Sequence, residues 1–323
     1  MKRLERHYRT YHFSSQDPPA IEVQPGEMVL VETTDSLDGQ LDLTRPGRVH
    51  LGRQSAGDVD LHRALPLTGP IRIDHAEPGD VIGVEVVGLA AAGNAFILPD
   101  FGQLIAGGGG GEWEAWVVEL GPGVIRLAPH LQLPYHLMVG CLGVAPAGEP
   151  ADSVTPGDHG GNHDCIHLGQ GSILYLAVQA PGGLVSVGDV HATMGDGEAM
   201  GTGVECAGEV LLRFHVHKGR CLPGPLLETD AAWMVFGHGP RPDDAIAMAR
   251  QRAVDLVAGC LGLGRADALM LLAAAGHTRL NQVVNPNCSA RVEVPKAVAG
   301  RLLAARAKEM PVAEEAAAPV PPP

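Results

Sequence analysis

Short apolar runs that follow proline–glycine turns are the feature of this sequence that most limits its possible folds. The turn 25–27, Pro-Gly-Glu, precedes the apolar run 28–32, and Glu-Pro-Gly-Asp at 77–80 precedes the run 81–87. Proline and glycine set the dihedral angles of tight turns, and apolar runs of this length between turns are typical of strands. With 43 glycines, 26 prolines and only 4% aromatic residues, the composition agrees with many short strands and turns. The pattern predicts a β-rich fold.

The second half of the chain combines further strand patterns with two helices. Residues 172–178 are nearly all apolar, as in a strand buried on both faces. Residues 208–219 alternate between apolar and polar side chains, which is typical of a strand with one wetter face. Apolar residues at helical spacing predict helices at 243–260 and 267–275, and a late strand follows at 291–294.

The length of 323 residues suggests one large domain or two domains of ordinary size. We divide the chain into an N-terminal β-rich domain at 1–150 and a second region at 151–310. The second region joins the candidate site motifs to the C-terminal helices. The remaining tail, 311–323, consists mostly of alanine, proline and glutamate and is predicted to be disordered.

Charge and cysteine usage exclude several classes of partner. The formal net charge of −14 opposes binding to nucleic acid and to anionic membranes, so we exclude both. None of the six cysteines forms a Cys-x-x-Cys pair, which argues against a structural zinc site. The charged N-terminus has no apolar segment behind it, and no run reaches the roughly 18 apolar residues of a membrane span. We therefore expect reduced cysteines and a cytoplasmic protein.

Four ionisable side chains follow the strand predicted at 184–187. Asp189 and His191 are two residues apart, so an extended chain would place them on one face, where they could bind a cation or orient each other. Asp196 and Glu198 follow on a glycine-rich turn. Such charges titrate abnormally unless a cation or a substrate dipole offsets them. The alternative is a polar surface loop, and we expect His191 to lie in a solvent-exposed loop in either case.

A second polar segment lies upstream and carries His159, Asn162 and Asp164. Two glycines before Asn162 allow the backbone to approach another group closely, and its amide can donate to or accept from another amide. Asp164 and His159 are possible ligands or bases. We interpret His163 and His167 as exposed surface residues.

Taken in order, the two segments resemble the signature of the acetamidase/formamidase family. The string reads His-Gly-Gly-Asn-x-Asp at 159–164, Gly-Ser at 171–172, a buried strand, and Gly-Asp-x-His-x-x-x-Gly-Asp-Gly-Glu at 188–198. Met194 stands where family members often carry glutamine, and His163 stands where a small apolar residue is common. Other stretches similar to the family lie at 25–27, 34–35, 39–40, 69–71, 76–80, 140–146, Glu205 and 228–229, so the resemblance spans roughly residues 7–300.

The resemblance implies both a fold and an activity. The fold is an antiparallel, jelly-roll-like β-sandwich with an α+β portion and C-terminal helices. The activity is hydrolysis of a short carboxamide, such as formamide or acetamide, to a carboxylate and ammonia. As partners we expect the small amide substrate and further copies of this chain in a homo-oligomer.

Amide hydrolysis needs an activated water, an oxyanion stabiliser and a proton for the leaving amine. The sequence has no Gly-x-Ser-x-Gly elbow, and Cys165 has no clear base beside it. We therefore expect a water activated by a carboxylate or by a divalent metal ion such as zinc, and we expect the two segments to converge in one pocket. The predicted metal ligands are Asp164, Asp189 and His191; the predicted catalytic residues are Glu198, His191 and Asp196; the predicted substrate-binding residues are His159 and Asn162.

Two alternatives stay open. The chain could be a non-catalytic β-sandwich that binds amides or metal, a reading that Met194 alone supports. It could also be a related C–N hydrolase that acts on ureido, guanidino or larger amide substrates. The intact Asp-x-His and Gly-Asp-Gly-Glu strings favour an enzyme over a binding protein.

Overall fold

The computed structural model describes residues 1–51, 59–99, 113–220 and 222–299, and the predicted disordered tail 311–323 lies outside these ranges. Within them the chain is mainly β, with two α-helices late in the sequence. The strands are β1 (Lys2–Leu4), β2 (Arg9–Thr10), β3 (His12–Phe13), β4 (Ile21–Val23), β5 (Met28–Thr33), β6 (Gly47–Leu51), β7 (Leu67–Ile73), β8 (Val81–Ile97), β9 (Trp113–Gly121), β10 (Val124–Ala128), β11 (Leu131–Pro134), β12 (Met138–Gly143), β13 (Ala151–Asp152), β14 (Gly160–Asn162), β15 (Ile173–Ala177), β16 (Val185–His191), β17 (Glu205–His217), β18 (Leu226–Glu228), β19 (Ala232–Gly239), β20 (His277–Gln282) and β21 (Cys288–Pro295), and the helices are α1 (Pro242–Leu261) and α2 (Arg265–Ala275).

The sheet is built around β8 and β17, which pair in antiparallel orientation over the full length of β17. β17 also pairs with β5, and β8 pairs with β9 and β15, so these two strands join the first half of the chain to the second. In β17 every second side chain from Val210 to Phe214 is buried and those between are partly exposed. This pattern confirms the predicted alternation. Among the described strands, parallel pairing is limited to β1 with β5 and β4 with β7.

One hydrophobic core draws side chains from both sides of the predicted boundary at residue 150. It includes Val31 of β5 and Val84 of β8 together with Val187 of β16 and Phe214 of β17. In addition, β12 pairs with β14 and β16 across the boundary. The two halves therefore share a core, and a division into separately folding units stays a prediction.

The two helices cover the face of the sheet that contains β19 and β21. Ala249, Ala253 and Val257 of α1 pack with Trp233 of β19 in a second buried cluster. Gly262 ends α1 with a left-handed backbone at φ 65°, a conformation that glycine adopts without steric cost. Among the described residues no single helix is both long and apolar enough to cross a membrane. The helices α1 and α2 meet this criterion of length and composition only as a pair, with a bend of 112° between them. The mainly antiparallel β fold with C-terminal helices confirms the predicted fold class.

Candidate active site

Strand β16 carries Asp189 and His191 into the interior of the fold. The prediction that the strand ends near residue 187 and leaves His191 in an exposed loop is wrong, because β16 extends to His191 and all of its residues are buried. β12 pairs along this extension, with Met138 opposite His191, and β17 begins on the other side, with Glu205 opposite His191. Pairing with β12, and with β17 at Val190 and His191, carries the strand on to His191 although its sequence resembles a loop. Asp189 interrupts the extended backbone with a φ angle of 61°.

Five buried side chains meet beside β16. They form two groups that share His191: Asp164, Asp189 and His191 in one, and His191, Glu198 and Glu205 in the other. Within each group the candidate ligand atoms lie within 4.8 Å of one another. Nε2 of His191 lies 3.4 Å from Oδ1 of Asp189 and 3.3 Å from Oε2 of Glu205. The structure thus brings together the residues that we expected to converge from the two segments, and it adds Glu205.

Three of these acidic residues have a strained backbone conformation. Asp164, Asp189 and Glu198 have φ angles of 50°, 61° and 48°, in the left-handed region that favours glycine. Such conformations persist only where the surrounding structure fixes them. The N–H of Asp164 donates to the carbonyl oxygen of Gly140 at 3.2 Å, and Oε1 of Glu198 accepts from the N–H of Gly203 at 3.0 Å. Strain at three neighbouring acidic residues supports the hypothesis of a functional site.

Two glycines allow the backbone to approach this cluster closely. A Cβ atom on Gly140 would collide with the carboxylates of Asp164 and Asp189, and a Cβ atom on Gly203 would lie 2.7 Å from Nδ1 of His191. We did not predict either glycine as a site residue. Gly140 lies inside a fully buried strand, so its local sequence resembles that of any strand in the hydrophobic core.

Burial and mutual repulsion shift the pKa values of the cluster. Burial raises the pKa of Glu198 to about 8 and that of Glu205 to about 7, and it raises the pKa of Asp164 well above its ordinary value. Burial alone would lower the pKa of His191, but the carboxylates of Glu205 and Asp189 outweigh it and raise this pKa well above 6.5. If all four acidic groups around this imidazole were ionised, the protein interior would carry an excess of negative charge, which a cation would offset.

The unmatched polar atoms of the cluster fit a divalent cation. Oδ1 of Asp164, Oδ1 of Asp189, Oε2 of Glu205 and both ring nitrogens of His191 are buried without a hydrogen-bond partner in the described part of the chain. Buried polar atoms are nearly always paired in native proteins, so these atoms indicate a ligand that the chain itself does not supply. Carboxylate oxygen and imidazole nitrogen are donors that zinc accepts. The cluster is therefore a possible buried metal site.

His159 and Asn162, the predicted substrate-binding residues, are both buried. Nε2 of His159 and Oδ1 of Asn162 have no hydrogen-bond partner among the described residues. Asn162 ends β14 opposite Cys141, which follows Gly140 in β12, and the ring of His159 packs against Phe13 with 4.9 Å between the ring centroids. These two polar atoms are available to a ligand.

Burial of His159 predicts a stability that depends on pH. Burial lowers the pKa of this ring to about 4, and the nearby His238 acts in the same direction while Asp158 opposes it. The unfolded chain, with a histidine pKa near 6.5, therefore binds the proton at a higher pH than the folded chain does. The contribution of His159 to the free energy of unfolding is complete above about pH 6.5 and falls as the pH drops toward 4. We expect a loss of roughly 2 kcal/mol in the free energy of unfolding between pH 7.5 and pH 5.

Urea unfolding of the wild type and of His159→Gln over this pH range measures the contribution. The variant has no imidazole at this position, so acidification should cost it about 2 kcal/mol less than it costs the wild type. Equal pH dependence in the two proteins would show that the His159 pKa is not lowered by folding.

His163 is buried, and the prediction that it lies at the surface is wrong. It is 1% exposed, Nδ1 lies 2.6 Å from the hydroxyl of Ser289, and Nε2 lies 3.3 Å from the carbonyl oxygen of Gly157. β21 carries Ser289 over the first motif and covers the ring. A contact between residues so far apart in sequence leaves no local pattern. His167, also predicted to be exposed, is half-buried.

Cys165 is buried, and burial raises the pKa of its thiol to about 11. The thiolate is therefore scarce at neutral pH, which makes this residue a poor nucleophile. Cys141, Cys165, Cys206 and Cys288 are free thiols, as expected, and Cys221 lies outside the described residues.

Asp196, which we predicted to be catalytic, pairs with an arginine and does not belong to the buried cluster around His191. Its Oδ1 and Oδ2 each accept a hydrogen bond at 2.7 Å from the guanidinium of Arg291. Neither group of candidate metal ligands in the described chain includes Asp196. Its catalytic role stays a prediction.

Sequence reasoning named Glu205 among the positions similar to the family but gave it no role, and it missed the residues that surround the motifs from the end of the chain. Nδ2 of Asn285 lies 3.4 Å from Oδ2 of Asp164, and Arg291 binds Asp196. The signals for Glu205 were its similarity to the family and its position a short distance after the second motif. Asn285 and Arg291 gave none, because their contacts depend on how the last strands fold back.

A buried cluster of carboxylates around one histidine, on an antiparallel β scaffold, is a possible metal site, and hydrolases are one class of protein in which bound metal ions activate water. Comparison with known proteins gives the family. The model of the acetamidase/formamidase family matches residues 5–149 and 142–301. The chain belongs to this family.

Known proteins of the family are similar to this chain both in sequence and in structure. The crystal structure of an acetamidase from Bacillus halodurans superposes with a TM-score of 0.85 at 30% identity, covering 93% of this chain and 99% of that chain. A predicted acetamidase/formamidase from Thermoanaerobacter tengcongensis gives a TM-score of 0.84 at 30% identity, covering 93% and 97%. A formamidase from Methylophilus methylotrophus is 25% identical over 292 residues, 69% of this chain and 70% of that protein. Alignments to the curated relatives cover 66–71% of their own lengths.

Proposed function

We propose that this chain hydrolyses short-chain carboxamides, such as formamide and acetamide, to a carboxylate and ammonia. Membership of the family and relatives named acetamidase and formamidase support the proposal. The observation that carries it is the buried cluster of acids around His191, whose ligand atoms lack partners in the described chain. Such a cluster costs folding free energy, and sites with charges of this kind are found where chemistry requires them.

Asp164, Asp189 and His191 are the residues proposed to hold a divalent cation, with Glu205 as a further donor. A cation bound by these residues would supply a Lewis acid and would lower the pKa of water to about 7. Strand pairing and the left-handed backbone of Asp164 and Asp189 hold the side chains in place. A donor set of one imidazole and several carboxylates agrees with zinc.

Glu198 is proposed as the group that moves the proton. Its Oε1 accepts from the N–H of Gly203, which leaves Oε2 to take a proton from the attacking water and to return it to the leaving nitrogen. Burial raises the pKa of this carboxyl to about 8, so it can exchange a proton near neutral pH. His191 provides an imidazole nitrogen between two carboxylates, and the free polar atoms of His159 and Asn162 are proposed to hydrogen-bond the substrate amide.

Removal of the metal should abolish turnover. We expect the purified protein to release ammonia from formamide and acetamide, and much less from propionamide and urea. A chelator should reduce this rate to background, because the carboxylates alone cannot lower the pKa of water as a cation does, and added zinc should restore it.

The same assay separates the alternatives. Zinc binding without ammonia release from any amide would favour a non-catalytic binding protein. Release from urea but not from acetamide would favour a ureido hydrolase. Full activity in the chelated protein would rule out the metal and leave a carboxylate-activated water.

Zinc as the metal, a cytoplasmic location and a homo-oligomeric state are finer parts of the proposal. Buried free thiols such as Cys141 and Cys206 agree with a reducing compartment. Metal analysis of the purified protein and sedimentation equilibrium test the metal and the oligomeric state directly.

A further inference from the structure

The hairpin formed by β20 and β21 packs behind both site motifs. The N–H of Gly197 donates to the carbonyl oxygen of Asn281 at 3.1 Å, next to a bridge between Gly197 and Gln282. At the tip of the hairpin, Nδ2 of Asn285 lies 3.4 Å from Oδ2 of Asp164. The hairpin therefore touches the segment that carries Asp164 and the turn that carries Glu198.

Arg291 of β21 joins this hairpin to the turn before Glu198. Its side chain is 1% exposed, and Nη1 and Nη2 donate to Oδ1 and Oδ2 of Asp196, each at 2.7 Å. Nη1 also donates to Oδ1 of Asn281 at 2.7 Å, and Nε donates to Oε1 of Glu293 at 2.8 Å. The planar guanidinium holds Asp196 through two parallel bonds, which fix orientation as well as distance.

The turn 195–198 needs external support. Gly197 and Glu198 have φ angles of 92° and 48°, and this conformation is strained for Glu198, which has a side chain. The pair of Asp196 with Arg291 fixes one end of the turn, and the bond from Gly203 to the Glu198 carboxylate fixes the other. Loss of the first restraint would let the turn relax and move Glu198.

We infer that Arg291 is a positioning residue, which acts through Asp196 to hold the carboxylate of Glu198 at the cluster. The kinetic consequence of this inference rests on the proposed amide hydrolysis. Asp196 is in this account also a positioning residue, since both of its carboxylate oxygens accept from Arg291 and neither group of candidate ligands in the described chain includes it. The arrangement explains why a buried arginine is retained here: it fixes a strained turn that bears an active carboxylate.

Asp196→Asn tests the inference, with Glu293→Gln as a matched control. Each change removes one negative charge from Arg291, but only Asp196 lies on the turn. Asp196→Asn should lower kcat for acetamide by roughly 10- to 100-fold with little change in KM, because a small misplacement of Glu198 is costly in the transition state. Glu293→Gln should lower the melting temperature by about as much as Asp196→Asn does, but it should leave kcat within about twofold of the wild-type value. Equal kcat values for the two variants would overturn the inference.

A second readout does not depend on turnover. Calorimetric titration with zinc should show affinity about tenfold weaker for Asp196→Asn and unchanged for Glu293→Gln, the usual scale for losing an outer partner of a metal site. If the wild type binds zinc but releases no ammonia, the proposed function fails, and this difference in affinity still supports the positioning role. If affinities are equal in all three proteins and the wild type is active, the positioning role fails alone.

Combination with Glu198→Gln gives the last check. If Asp196 acts through Glu198, adding Asp196→Asn to Glu198→Gln should lower kcat no further, because the two changes remove the same contribution. Arg291→Lys keeps the positive charge but loses the pair of parallel hydrogen bonds. This variant should fold and should retain only part of the wild-type kcat. Additive losses, or full activity in Arg291→Lys, would contradict the inference.

Discussion

His191→Asn is expected to lower kcat for amide hydrolysis by roughly 10²-fold or more, the usual scale for the loss of a positioned group at an active centre. His191 is the one residue common to both groups of candidate ligands. Its ring lies between Asp189 and Glu205, so its loss also leaves two buried carboxylates to repel each other. An amide is a poor substitute for imidazole on zinc, so metal content should fall with the rate.

The buried position of His191 means that the same change also costs stability. The melting temperature of His191→Asn should fall by several degrees, so kcat has to be measured well below it and corrected for the folded fraction. His215→Asn is a matched control, because His215 also pairs with a glutamate, Glu85, at 2.9 Å but lies on the partly exposed face of β17. The control should keep kcat within about twofold. A His191→Asn protein with near wild-type kcat and metal content would end the proposed role of His191.

The strands and helices that the sequence predicts well are those with a strong local pattern. Alternation of buried and exposed residues predicted β17, and helical spacing with Gly262 at the end predicted α1. The predicted strand 184–187 ends four residues before β16 does, because Gly188 and Asp189 resemble a turn. Pairing carries the strand through this segment, because Gly188 pairs with β12 and β7, and Val190 and His191 pair with β12 and β17. This is a long-range effect that local sequence does not encode.

The residues of the candidate site also fall into those that local sequence predicts and those that it does not. Asp164, Asp189, His191 and Glu198 could be predicted because charge is concentrated in two short segments and because those segments resemble a family. Asn285 and Arg291 could not, since each contacts the motifs across about a hundred residues of chain. His163 was misplaced for the same reason: the side chain that covers it, Ser289, comes from the last hairpin.

Gly140 is a site residue to which the sequence assigned no role, and its substitution has a large expected effect. It sits in β12 with its Cα against the carboxylates of Asp164 and Asp189, in the space that any side chain would occupy. Those carboxylates have little freedom to move, because both residues are buried and both backbones are held in the left-handed region. A methyl group at this position must therefore displace at least one proposed metal ligand.

Gly140→Ala is accordingly expected to lower kcat by about 10²-fold or more, since displacement of reacting groups by about 1 Å costs that much. Overpacking should also reduce the free energy of unfolding by about 1–3 kcal/mol. Gly148→Ala is the matched control, because a Cβ atom there meets nothing within 4 Å, and it should leave both quantities nearly unchanged. Zinc titration, ammonia release and urea unfolding of the two variants measure the three effects. If Gly140→Ala lost stability but bound zinc and turned over acetamide like the wild type, the carboxylates beside Gly140 would not be the metal ligands, because their displacement would have had no chemical consequence.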